Sequence, residues 1–118
     1  MEQKQKLEKI VKALDSKKAD EIKAIKITDL TILADYFVIA GGTSTTHTKT
    51  LAQEVEYQLS QAGIEPKGTE GYKNGANWVI LDYGDIVVHV FYKETRDYYQ
   101  LERLWADGEE IDIGEYLT

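Results

Sequence analysis

The chain has 118 residues and a net charge of −7, with 42% hydrophobic and 30% charged residues. That is the size and balance of one soluble globular domain, expected here over 1–118. It lacks cysteine, which excludes disulfides and thiolate metal sites, and its charged opening, MEQKQKLEKIVKAL, holds no apolar signal core. With no membrane-length stretch either, the expectation is a cytoplasmic protein with no membrane partner.

In chain order, Leu7, Ile10, Val11 and Leu14 recur at helical spacing and predict a helix over 3–18. Ile22, Ile25 and Ile27 predict a first strand within 19–28, with one irregularity in its alternation, and Asp29-Leu30-Thr31 reads as a turn. Residues 35–40, DYFVIA, form a short continuous apolar run of the kind a covered central strand carries. Gly41-Gly42-Thr43-Ser44 follows, with Thr43 or Ser44 as N-cap of a helix to about Ala62 that buries Leu51, Val55 and Leu59. Gly63 stops that helix. Residues 65–77 hold three glycines and the only proline, and read as a loop or a weak edge strand, with mobility expected.

The segment 78–91, WVILDYGDIVVHVF, organises the remainder. Two β-prone runs flank Tyr83-Gly84-Asp85 and predict a hairpin. A two-residue loop is either Tyr83-Gly84 (type I′) or Gly84-Asp85 (type II′), and both leave the same two faces. One face carries Val79, Leu81, Tyr83, Ile86, Val88 and Val90, as a sheet covered by helices should. The other carries Trp78, Ile80, Asp82, Val87, His89 and Phe91, an apolar surface interrupted by an acid and an imidazole. That second face is the candidate site. Thr95 is then expected to cap a last helix with Tyr98, Leu101, Leu104 and Trp105 on one face, ending at Gly108. The acidic tail, 106–118, keeps Ile111, Ile113, Tyr116 and Leu117 available for packing. The order α-β-β-α-β-β-α describes a mixed-sheet α/β sandwich.

Three features bear on function. Residues 1–69 hold ten acids and ten bases, whereas residues 70–118 hold eleven acids against Lys73, Lys93, Arg96 and Arg103. An acidic half steers towards basic partners and away from phosphate backbones, so nucleic acid is not the expected main contact; an acidic surface that merely keeps the chain soluble explains the charge about as well. The strand–Gly-Gly-Thr-Ser–helix junction resembles the phosphate-cradling turn of nucleotidyltransferases. Such an enzyme needs paired carboxylates on the next strand, and no Asp-x-Asp follows; a tight strand-to-helix turn is the commoner meaning. His47 and His89 lack metal-ligand spacing, so no metal or cofactor is expected. His89 with Asp82 as a base and its orienter is the weaker alternative to a structural or interface histidine. Trp78, Phe91, Tyr98, Tyr99 and Trp105 are too many rings for so small a core, and exposed Trp and Tyr are typical interface anchors; Glu102 and Arg103 are expected as a polar rim.

ADYFVIAGGTS (34–44), EG (70–71), WVILDYGDIVVHVF (78–91) and RDYYQLERLW (96–105) resemble the Iojap family, the ribosomal silencing factors. The resemblance covers nearly the whole chain in order and implies a nucleotidyltransferase-like α/β fold without the catalytic carboxylates. It implies no enzyme activity. It implies binding to the large ribosomal subunit through a basic protein on its intersubunit face, large-subunit protein fourteen, which sterically blocks joining of the small subunit. Homodimers are also implied. The family's binding motif falls on Trp78, Leu81, Asp82, Tyr83, His89, Tyr98, Tyr99 and Glu102 of this chain. Leu81 and Tyr83 lie on the helix-covered face in this register, and a three-residue turn would exchange the faces.

Overall fold

The computed structural model describes residues 2–117, so residues 1 and 118 of the expected domain and tail lie outside it. Helix α1 (Gln3–Ser16) leads into β1 (Asp20–Lys26), β2 (Tyr36–Gly42), α2 (Thr45–Gln61), β3 (Gly68–Glu70), β4 (Trp78–Asp82) and β5 (Ile86–Tyr92). Two short helices, α3 (Lys93–Tyr99) and α4 (Leu101–Leu104), precede β6 (Glu109–Ile111) and a closing 3-10 turn, Ile113–Tyr116. The six strands form one sheet in the order β3-β4-β5-β2-β1-β6. β2 and β5 pair in parallel at its centre, and the other pairs are antiparallel.

The period-two pattern of β4 and β5 sorts residues as expected. Val79, Leu81, Val88 and Val90 meet Leu7, Ile10, Leu14, Leu51, Val55 and Leu59 beneath α1 and α2. Ile25, Phe37, Ile39 and Phe91 line the opposite face, which is covered only in part, by Leu101 of α4 and by Trp105 just after it. The hairpin loop is Gly84-Asp85: Tyr83 N–H donates to Ile86 O at 2.9 Å, and Gly84 at φ +89° takes the left-handed first position of a type II′ turn. A three-residue turn is thereby excluded. Asp85 ties the hairpin tip to α1 by a 2.7 Å ion pair with Lys6.

Two expectations change, and two that were left open gain detail. The 65–77 stretch contains β3 as an edge strand, and Tyr72 OH donates to Glu56 of α2, so side-chain bonding ties it down. α3 begins at Lys93 rather than after Thr95, because β5 runs straight into it without a helix-breaking residue. The last helix is not continuous: Gln100 adopts φ +48° and splits it. As a result Tyr98 and Leu104, expected on one face with Leu101 and Trp105, are 81% and 75% exposed whereas Leu101 is buried. The tail pairs β6 with β1 and buries Tyr116 against the main core.

Candidate functional site

A groove of about 770 Å³ lies between β4 and α3. Trp78 and Ile80 project from β4 on one side, and Tyr98 and Tyr99 from α3 on the other. The 71–77 loop closes one end with Asn74 and Asn77, and Glu70 and Glu94 bring carboxylates to the lining. The rings form a contiguous cluster: Trp78 lies tilted 4.7 Å from Phe91 and 5.0 Å from Tyr99, and Tyr99 meets Tyr98 edge-on at 5.0 Å. Tyr98 is 81% and Tyr99 50% exposed, so water covers ring surface that a partner could displace.

Trp78 is held from below. Its indole N–H donates to Nδ1 of His89 at 3.1 Å. A neutral His89 therefore carries its proton on Nε2, which is buried without a partner. Burial pushes the His89 pKa down to about 4, so the ring is uncharged near neutral pH. Asp82 does not orient it. Its Oδ1 instead accepts from Gly84 N–H at 2.8 Å and stabilises the hairpin turn, so the base–orienter alternative has no geometry behind it.

Of the eight residues expected at the site, Trp78, Tyr98 and Tyr99 meet in the groove, with His89 directly beneath. Asp82 is exposed at the far end of β4. Glu102 is turned inward, its Oε1 accepting from Arg96 Nε at 2.9 Å, and so does not form the free polar rim expected of it. Leu81 and Tyr83 are buried on the opposite face, because alternation along β4 and the two-residue loop leave them under α2. The Tyr83 hydroxyl is buried without a partner, and burial, with Glu56 and Glu65 nearby, pushes its pKa up. Sequence reasoning missed Glu70, Asn74, Asn77 and Glu94 as lining residues. The one available signal was the glycine-rich 65–77 stretch immediately before Trp78.

The Gly41–Ser44 turn is closed as a phosphate cradle. Thr43 N–H donates to His47 Nδ1 at 2.9 Å, and His47 N–H donates to Ser44 Oγ at 3.0 Å. Gly42 is explained by packing: a Cβ there would lie 2.5 Å from Thr48 Oγ1 and 2.8 Å from Thr48 N. Among the described residues no three His, Asp or Glu side chains are grouped to hold a metal, and no helix is long and apolar enough to cross a membrane.

Comparison with known proteins decides the family. The family described as "Ribosomal silencing factor during starvation" matches residues 1–118. The chain belongs to the ribosomal silencing factor family. Among its relatives, the ribosomal silencing factor of Bacillus subtilis is 41% identical over 113 residues, covering 96% of this chain and 95% of that protein. A crystal structure from Chromobacterium violaceum superimposes with a TM-score of 0.86 at 36% identity, covering 95% of this chain and 92% of that one. A mouse relative, named "Mitochondrial assembly of ribosomal large subunit protein 1", is 31% identical over 102 residues, which span 85% of this chain and 45% of that protein. This chain and the Chromobacterium violaceum protein thus share one α/β fold, and the groove lies within the residues that the family matches.

Proposed function

We propose that this chain silences translation as a binding protein rather than an enzyme. It seats the Trp78–Tyr98–Tyr99 groove on a basic protein of the large ribosomal subunit's intersubunit face, large-subunit protein fourteen, and its bulk then blocks the small subunit. The carrying observation is the groove itself: exposed aromatic rings lined with Glu70 and Glu94 in the acidic half of the chain. Such a surface matches a basic partner in charge and supplies the ring anchors that dominate interface energetics. The mouse relative's printed name associates it with the large subunit, and the family's name supports repression. The closed Gly41–Ser44 turn argues against phosphoryl transfer.

Sedimentation tests this reading. The protein should migrate with large subunits in a sucrose gradient and reduce their joining to small subunits, while Tyr98→Ala should leave the upper fractions loaded with free protein. Wild-type protein confined to the top of the gradient, or joining unaffected by excess protein, would remove the proposal.

A further inference from the structure

α3 and α4 span seven and four residues, far below the length at which a helix stands alone. Their apolar hold on the sheet is thin. Leu101 is buried and Trp105 partly so, but Tyr98 and Leu104 face solvent. The segment also contains a left-handed non-glycine residue, Gln100 at φ +48°, an arrangement that persists only where surroundings impose it.

Arg96 is the buried charge of this segment, its side chain 6% exposed. Its Nη1 donates to Asp20 O at 3.1 Å, Nη2 to Glu21 O at 2.8 Å, and Nε to Glu102 Oε1 at 2.9 Å. One planar guanidinium therefore joins α3, α4 and the start of β1. The two carbonyls lie where β1 departs from regular pairing: the register skips between Asp20 and Lys23, and Glu21 has φ +43°. Two left-handed residues, Glu21 and Gln100, thus flank one buried side chain, on a strand and a helix junction far apart in sequence. No ammonium offers the same three donors in one plane.

Arg96 lies three residues before Tyr99, whose ring meets Trp78 at 5.0 Å. We propose that Arg96 is the positioning residue of the docking groove: its clamp on the bulge of β1 and on Glu102 sets α3 so that Tyr99 closes against Trp78. Arg96 touches no partner itself and acts through Tyr99. The binding arm of the test rests on the ribosomal reading above; the clamp does not.

The test uses Arg96→Lys in the full chain. With Trp105→Phe leaving Trp78 as the single tryptophan, excited selectively over the tyrosines, acrylamide quenching of Trp78 should increase in Arg96→Lys while far-UV circular dichroism stays that of the parent. Affinity for purified large ribosomal subunits should fall about tenfold, the effect of misplacing one anchor. In a Tyr99→Ala background the same substitution should cost less than about twofold, because its effect passes through the missing ring. A folded Arg96→Lys protein with unchanged quenching overturns the proposal, as does an undiminished loss in the Tyr99→Ala background. If Arg96→Lys does not fold, Glu102→Gln, which weakens one arm of the clamp, must still raise Trp78 quenching; unchanged quenching there is equally fatal. Wild-type protein that ignores large subunits while the quenching shift appears would sink the ribosomal reading and leave the clamp standing.

Discussion

Trp78 has two jobs that mutation would confound: its ring lines the groove, and its N–H donates to the buried His89 Nδ1. Trp78→Ala should therefore lose binding and also destabilise the fold by about 2–3 kcal/mol, through lost packing and an orphaned imidazole. Tyr98, 81% exposed, separates the two effects. Tyr98→Ala should shift unfolding by no more than about 0.5 kcal/mol, the usual range for surface positions, yet weaken large-subunit binding about tenfold. Chemical denaturation alongside a binding isotherm checks both numbers. His89 makes a pH prediction of definite sign. Unfolded, it takes a proton near its ordinary pKa of 6.5; folded, burial delays this to about 4. Between those values the unfolded state binds more protons, so stability present above pH 6.5 drains away as pH falls, by about 3 kcal/mol in all. Denaturation midpoints measured from pH 7 to 4 should show this decline, and His89→Phe should flatten it. Protonation would also abolish the acceptor for Trp78 and free the indole. Asp85 adds to acid sensitivity at lower pH. Burial pushes its carboxyl up, but Lys6 and Gln3 outweigh that and hold it below the ordinary range.

At the scale of elements, strong periodicity was legible and exceptions to it were not. The apolar spacing in α1 and α2 and the alternation in β4 and β5 placed their buried faces correctly, since burial on one side of a regular element repeats with its period. Ser44 caps α2 as expected, accepting from His47 N–H at 3.0 Å. The α3–α4 segment failed that logic because Gln100, at φ +48°, interrupts the helical period between the two pieces. β3 and β6 have three residues each, too few to carry a period, and exist because an edge of the sheet was free to pair. The end of α1 offers a clean test away from the groove. Lys18 sits just past the helix at φ +61°, its N–H donating to Asp15 O at 2.9 Å. Glycine adopts that conformation without strain, so Lys18→Gly should stabilise the fold by about 1 kcal/mol, seen as a higher unfolding midpoint with binding unchanged.

For the whole molecule, charge is the informative property. All of the net −7 arises in residues 70–118, which supply every residue lining the groove, so binding to a basic partner should weaken as salt rises and its on-rate should fall first. Stopped-flow association at increasing salt measures this; a salt-independent rate would assign the charge to solubility alone. The chain by itself determined its class, the two faces of its hairpin, the missing carboxylate pair and its family resemblance, because composition, period and motif are local properties. Only the tertiary structure decided that Glu102 serves Arg96, that His89 is sealed under Trp78, and that the 71–77 loop helps build the groove. Each of those depends on contacts between segments distant in sequence, and no local pattern encodes which segments will meet.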